Sequence, residues 1–325
     1  MIVTLRPNAD ADSVRRELVA RGLWVTALHD GARVAHYLIS DASSAATPDA
    51  LRRIDGVAAV AAAAPAHPRV DAHGPVAEVR GAAVGAERPT FLCGPCAVES
   101  EARIHAIAAK VAAAGATFLR GGAYKPRSSP YAFQGHGEDA LRWLRRAADA
   151  HGLRVVTEAL GEGDVGLVAE YADLLQIGSR NMQNFSLLKA VGRTGRPVML
   201  KRAMAATVEE WLLAGEYLLA HGAPSVVFCE RGVRGFDPST RNLLDLGAVA
   251  LLAHVHKLPV VVDPSHATGR RDLVLPLARA ALAAGAAGVM IETHDDPGCA
   301  LSDGPQAVPL HELRGALQAL GAVTS

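Results

Sequence analysis

Residues 88–120 read RPTFLCGPCAVESEARIHAIAAKVAAAGATFLR, and this stretch decides the fold. Phe91–Cys93 is a short apolar run bounded by Pro89 and Gly94, which predicts a buried strand. Apolar residues then recur at helical spacing from Glu101 to Ala114, and the helix closes on Gly115. Phe118–Arg120 opens the next strand. The same rhythm continues along the chain, with strands expected at 155–158, 174–177, 198–201, 226–229, 260–263 and 289–292. Helical stretches fall at 138–150, 208–220, 243–256, 273–284 and 310–320. Eight βα units in about 230 residues is the count of a closed (β/α)8 TIM barrel rather than an open dinucleotide-binding sheet. No G-x-G-x-x-G follows the first strand, which points the same way.

Ahead of the barrel, residues 1–70 predict strand, helix, two strands, helix and strand, at 2–5, 11–21, 24–28, 34–39, 48–54 and 57–61. That order is the one of a small ferredoxin-like α+β domain. Residues 71–87 read as linker and hairpin: Pro65, His67 and Pro68 mark the passage, and Val76–Val84 folds back at a central Arg-Gly. The catalytic barrel is then 88–325.

Half of the 325 residues are hydrophobic, enough for a large core, and 33 Lys plus Arg balance 33 Asp plus Glu. With no net field, nucleic acid is not an expected partner, and cationic clusters must be local. The N-terminus lacks a basic segment followed by a long apolar one, and VAAVAAAAPA is too short to span a bilayer, so a cytoplasmic protein with no membrane partner is expected. Four cysteines (Cys93, Cys96, Cys229, Cys299) do not make a disulfide framework. Cys93-Gly-Pro-Cys96 has redox spacing, but residues three apart on a strand point to opposite faces, which opposes a bridge unless Gly94-Pro95 bends the chain.

In a (β/α)8 barrel the reacting groups gather where strands end and βα loops begin. Those positions carry Cys96, Arg120, Lys125, Arg127, Glu158, Arg180, Lys201, Arg231, His266, Glu292 and Asp303. Cys96, His266, Glu292 and Asp303 offer a thiolate, an imidazole and two carboxylates, a set suited to a first-row divalent ion. Each alone has an ordinary reading: an inert core thiol, a hydrogen-bonded imidazole, a turn aspartate before glycine. Arg120, Lys125, Arg127, Arg180, Lys201 and Arg231 are cations whose burial is costly without anions. Internal salt bridges are one answer, but few acids are in view. Phosphate and carboxylate groups of substrates are the other.

Gly94-Pro95-Cys96-Ala97-Val98-Glu99-Ser100, Leu119-Arg120-Gly121-Gly122-Ala123-Tyr124-Lys125-Pro126-Arg127-Ser128-Ser129-Pro130-Tyr131-Ala132-Phe133-Gln134-Gly135, Ile177-Gly178-Ser179-Arg180-Asn181 and Asp263-Pro264-Ser265-His266 strongly resemble the 3-deoxy-D-arabino-heptulosonate 7-phosphate (DAHP) synthases. The N-terminal domain is similar to that of the type I beta subtype, where it precedes the barrel. The resemblance implies a transferase that condenses phosphoenolpyruvate with D-erythrose 4-phosphate and water, the first step of the shikimate pathway to aromatic amino acids. It implies that Cys96, His266, Glu292 and Asp303 hold the metal, which could be Mn2+, Co2+, Fe2+ or Zn2+. It implies that Arg120, Lys125, Arg180, Lys201 and Arg231 hold phosphoenolpyruvate, while Arg127 and Ser128 hold the phosphate of erythrose 4-phosphate. Lys125, Cys96 and His266 would be the catalytic residues, Lys125 supplying a proton as the alkoxide forms. Glu158 or a water on the metal would activate the attacking water. Feedback inhibition by Tyr or Phe at the N-terminal domain, and a homotetramer or homodimer, are implied as well.

Three rivals make different demands. A 3-deoxy-D-manno-octulosonate 8-phosphate synthase would use arabinose 5-phosphate and carry Lys-Ala-Asn-Arg-Ser where this chain has Lys125-Pro126-Arg127-Ser128. A Schiff-base aldolase would use Lys201 and ignore chelators. A sensor protein would keep the barrel only as a scaffold and would not need an intact mouth.

Overall fold

The computed structural model describes residues 1–40, 43–127 and 129–322. They separate into two units, Met1–Ala66 and His67–Ser325. In the first, β1 (Ile2–Leu5), α1 (Ala11–Ala20), β2 (Val25–Asp30), β3 (Arg33–Ile39), α2 (Pro48–Arg52) and β4 (Val57–Ala61) build an antiparallel sheet of order β2-β3-β1-β4. Alternation along β3 buries Ala35, Tyr37 and Ile39, and Tyr37 and Ile39 pack with Val14 and Leu18 of α1 and Leu51 of α2. Asp10 and Thr47 cap the two helices, accepting from the backbone N–H of Ser13 and Ala50. This is the ferredoxin-like arrangement.

The second unit begins earlier than its sequence suggests. Residues 67–70, which read as the end of the first domain and its linker, enter α3 (Pro68–Asp71), and Val70 is fully buried in the core between barrel strands and helices. The backbone N–H groups of Arg69 and Val70 donate to the Glu216 carboxylate at 2.9 Å each. One apolar side chain and two satisfied donors thus assign the segment to the barrel.

The hairpin of β5 (Ala77–Val79) and β6 (Ala82–Val84) turns on Arg80-Gly81, both with positive φ (45° and 74°). Two left-handed central residues match the twist of a two-residue hairpin. Ala77, Val79 and Val84 are buried against Leu92, Phe118, Val156, Leu174, Met199, Val227, Val261 and Met290. Each of those eight belongs to a different barrel strand, so the hairpin seals one end of the barrel interior.

The barrel runs β7 (Thr90–Gly94), α4 (Glu101–Ala113), β8 (Phe118–Arg120), α5 (Glu138–Ala150), β9 (Arg154–Glu158), α6 (Val165–Tyr171), β10 (Leu174–Ile177), α7 (Phe185–Gly192), β11 (Val198–Lys201), α8 (Val208–Ala220), β12 (Val226–Glu230), α9 (Leu246–Ala250), β13 (Val260–Val262), α10 (Pro264–Thr268), α11 (Arg271–Ala283), β14 (Gly288–His294) and α12 (Leu313–Gln318). Neighbouring strands pair in parallel, and β14 returns to β7, closing the barrel. Residues alternate between the inner layer and the helix layer: Leu92 faces in, while Phe91 and Cys93 face out. The helix expected at 243–256 starts only at Leu246, because Asp245 caps it and Leu243 pairs with Val233 instead. The eight βα units expected from sequence imply a helix after each strand, but the short α6, α7 and α10, of seven, eight and five residues, carry too little periodicity to be given bounds from it. Among the described residues no helix is long and apolar enough to cross a membrane.

Leu92 stands where the strand layer meets the hairpin. Leu92→Ala is expected to lower the unfolding free energy by roughly 2–5 kcal/mol, and Leu92→Met by less than about 1.5 kcal/mol. Urea midpoints of the two variants check this. Equal midpoints would show that the inner layer is not close-packed there.

Candidate active site

The site begins at a glycine. At the end of β7, Gly94 has φ 150°, and a Cβ there would lie 2.0 Å from the Arg120 carbonyl oxygen. Only glycine lets β7 and β8 approach so closely while Gly94-Pro95 turns the chain and delivers Cys96 to the mouth. Cys96 Sγ lies 2.9 Å from Lys125 Nζ and 3.1 Å from both Asp303 Oδ2 and Ser302 Oγ. Asp303 itself is left-handed, with φ 52°.

Glu292, on β14, is wholly buried. Its Oε1 accepts from Arg120 Nη1 at 2.7 Å and lies 3.1 Å from His266 Nε2, while Oε2 accepts from Gln306 Nε2. His266, in the first turn of α10, has its backbone N–H capped by Asp263 Oδ1 at 3.0 Å and its Nδ1 2.7 Å from Asp263 Oδ2. The same Oδ2 accepts from Lys201 Nζ at 2.6 Å. Positive and negative groups therefore alternate across the mouth in the order Arg120, Glu292, His266, Asp263, Lys201.

This alternation fixes protonation. Burial works against an imidazolium at His266, but Asp263 and Glu292 outweigh it and push the pKa up to about 10. Burial likewise opposes ionised Asp263 and Glu292, yet His266 with Lys201, and His266 with Arg120, hold them well below the usual carboxylate range. Asp303 is also lowered, burial and Glu292 being outweighed by Cys96, His266 and Arg241.

One ligand atom from each of Cys96, His266, Glu292 and Asp303 lies within 4.8 Å of the other three. The four donors expected from sequence thus converge. They fit a divalent ion chemically: thiolate, imidazole and two carboxylates, with Asp263 on Nδ1 leaving His266 Nε2 to face inward.

The cations converge too. A cavity of about 580 Å³ is lined by Arg120, Lys125, Arg127, Arg180, Lys201 and Arg231, and additionally by Arg234 and Arg241. Among the described residues the carboxylates that line it are Glu158 and Asp303. The sequence suggested that few acids serve these cations, and here the structure divides them. Arg120 and Lys201 are paired, with Glu292 and Asp263. Among the described residues Arg127, Arg180, Arg231 and Arg234 form no ion pair; Arg127 donates to Ser302 Oγ at 2.8 Å and Arg231 to the His266 carbonyl at 3.2 Å. Burial, with Arg241 and Arg180 nearby, pulls the Arg231 pKa down. Ser128 lies outside the described residues.

Sequence reasoning gave no role to Asp263, Arg234, Arg241 or Gln306. Asp263 carries a usable signal, a strand-end carboxylate three residues before a proposed ligand. Gln306 carries none. Cys93, fully buried in the helix-facing layer, is a free thiol that burial pushes up to about 12, and Cys96 is free as well.

Fold and site together define a class: a (β/α)8 barrel whose mouth sets four potential metal donors beside a cationic cavity. The model of the DAHP synthetase I family matches residues 71–325, and the chain belongs to that family. It is 52% identical over 219 residues to the phospho-2-dehydro-3-deoxyheptonate aldolase of Thermotoga maritima, a match covering 67% of this chain and 65% of that relative. It is 34% identical over 267 residues to the 2-dehydro-3-deoxyphosphooctonate aldolase of Methylibium petroleiphilum, covering 73% and 91%. The crystal structure of phospho-2-dehydro-3-deoxyheptonate aldolase (DAHP synthase) from Thermotoga maritima superposes with TM-score 0.76 at 40% identity, over 98% of this chain and 96% of that one. A truncated form of the Thermotoga maritima DAHP synthase gives 0.71 at 44%, over 77% and 91%.

Because Asp263 and Glu292 push the His266 pKa up to about 10, binding of a divalent ion at neutral pH is expected to release the imidazolium proton. Apparent Mn2+ or Zn2+ affinity is therefore expected to rise roughly tenfold per pH unit for each proton released between about pH 7 and about pH 9. A pH series of metal titrations reads this directly. An affinity flat over that range would show that no imidazolium proton is displaced from His266 by the ion.

Proposed function

We propose that the chain joins phosphoenolpyruvate to D-erythrose 4-phosphate, with water, to give 3-deoxy-D-arabino-heptulosonate 7-phosphate and inorganic phosphate. The observation that carries this is the convergence of four potential donors, of which His266 and Asp303 line the cavity that also holds Arg127, Arg180, Arg231 and Arg234, arginines that form no ion pair among the described residues. Membership of the DAHP synthetase I family supports it.

Cys96, His266, Glu292 and Asp303 would hold the divalent ion, of the Mn2+, Co2+, Fe2+ or Zn2+ type. When bound, it supplies a Lewis acid for the aldehyde oxygen. Arg120, Lys125, Arg180, Lys201 and Arg231 hold the carboxylate and phosphate of phosphoenolpyruvate, and Arg127 with Ser128 holds the aldose phosphate. C3 of phosphoenolpyruvate forms the bond to the aldehyde carbon, and Lys125, whose Nζ stands 2.9 Å from Cys96 Sγ, gives its proton to the oxygen that becomes the alkoxide. Water adds at C2, and the phosphate on that carbon then leaves. Either Glu158, a cavity-lining carboxylate outside the four-donor group, or a water on the ion would take the proton of that water.

Lys201 acts here as a point charge rather than an imine-forming amine, because its buried Nζ donates to Asp263 at 2.6 Å. For Met1–Ala66 the ferredoxin-like sheet supports a regulatory role: Tyr or Phe bound between such units of neighbouring subunits, in a homodimer or homotetramer. Removing those residues is expected to leave turnover intact and abolish inhibition; inhibition that survives would refute the role.

The deciding assay follows phosphoenolpyruvate consumption with erythrose 4-phosphate and with arabinose 5-phosphate, before and after EDTA. Turnover with the four-carbon sugar, lost on chelation and restored by Mn2+ or Co2+, is expected. Turnover with arabinose 5-phosphate alone, or full turnover after exhaustive chelation, would overturn the reading. Arg127→Ala is expected to raise KM for erythrose 4-phosphate about 10- to 100-fold, the loss of a charge-assisted hydrogen bond, with KM for phosphoenolpyruvate little changed. Equal effects on both would move Arg127 out of the aldose subsite.

A further inference from the structure

A buried carboxylate that the proposed chemistry leaves unused ties the first βα loop of the barrel to the last. Glu99 lies three residues after Cys96, with its side chain 5% exposed. Its Oε1 accepts from the backbone N–H of Leu301 at 2.8 Å, and Leu301 precedes Asp303 by two residues. Its other oxygen accepts from Arg103 Nη1, and Arg103 Nε donates to Asp295 Oδ2 at 3.2 Å, just beyond β14. His294 Nε2 lies 3.4 Å from the same Oε1. Glu99 and Arg103 thus hold the segment from Asp295 to Leu301 at two points.

The two loops need such a tie more than the rest of the metal group does. Glu292 sits within β14, in register with Gly94 of β7, and His266 sits in the first turn of a capped helix. Cys96 and Asp303 instead reach the site from loops outside any strand, and Asp303 holds a left-handed backbone that a side chain disfavours. Such a conformation persists only where its surroundings fix it. Burying a carboxylate costs several kcal/mol unless hydrogen bonds compensate, and here the compensating donors are a backbone amide of the Asp303 loop and an arginine bound to that loop.

We propose that Glu99 is a positioning residue that sets Asp303 against Cys96, and with it the metal affinity of the site, touching neither metal nor substrate. The inference rests on the four-ligand reading of Cys96, His266, Glu292 and Asp303.

The test titrates metal-free, full-length protein with Co2+ and reads the thiolate-to-cobalt charge-transfer band in wild type, Cys96→Ser, Glu99→Gln and Arg103→Leu. A wild-type band that Cys96→Ser abolishes supports the four-ligand reading; a wild type without the band refutes that reading itself. With the band present, Glu99→Gln is expected to weaken Co2+ binding roughly 10- to 100-fold. Its amide can still accept from Leu301, but its NH2 meets the Arg103 donor. Arg103→Leu, which keeps the Leu301 bond, is expected to cost roughly three- to tenfold, and it decides alone if Glu99→Gln does not fold. Phosphoenolpyruvate affinity without metal should stay at the wild-type value. Co2+ affinity within twofold of wild type in the folded variants, with only a lower urea midpoint, would make Glu99 a stability element and overturn the proposal.

Discussion

The mouth of this barrel depends on the alternating chain of buried charges from Arg120 through Glu292, His266 and Asp263 to Lys201. Taking any one of these groups out of water alone costs several kcal/mol. Side by side, each interior member has an opposite charge on both sides, and the links run between β8, β14, the α10 turn and β11. The chain therefore works as a set of cross-strand ties at the mouth, beyond the inner apolar layer that meets the hairpin. Removing one member leaves its neighbours buried and uncompensated, so these positions couple and their effects will not add.

Cohesion and chemistry are kept apart along the barrel axis. At the sealed end, one apolar side chain from each of the eight strands meets the hairpin of residues 77–84. At the open end the strands turn polar, and glycine sets how closely polar groups stand. A Cβ at Gly178 would lie 1.9 Å from Glu158 Oε1, so a side chain after β10 would expel Glu158 from its place on the cavity wall. The apolar layers hold the frame, and the glycines grant close approach where the site needs it.

That division explains what could be read in advance. The strands of the barrel follow from short apolar runs at regular spacing, and the four candidate donors come from strand ends and the loops after them, which a closed barrel sends to one mouth. Asp263 was harder to see because an aspartate before proline and a helix has a sufficient local explanation as an N-cap, which it also is. Arg202 shows a different limit. It follows Lys201 directly but turns away to pair with Glu230 and Asp245, and nothing in a run of two cations says which one faces the cavity. Val70 was misplaced for a third reason: a proline-bounded segment reads as linker, while its burial depends on α8, far along the chain.

Charge bookkeeping at the donor group accounts for the two kinds of cation. With a divalent ion held there, a Cys96 thiolate, Glu292 and Asp303 would bring three negative charges to one place, one more than the ion supplies. Lys125 against Cys96 Sγ and Arg120 against Glu292 stand where that excess lies. Arg120 spends only Nη1 on this, on Glu292 and the Pro95 carbonyl, so the rest of its five-donor guanidinium stays available toward the cavity. Among the described residues Arg180, Arg231 and Arg234 form no ion pair, and burial with Arg241 and Arg180 pulls the Arg231 pKa down although Asp263 opposes it. The first group stands against the donor set, and the second would meet the anions of the proposed substrates. A barrel mouth rich in arginine is stable without being neutral because the two tasks fall on different residues.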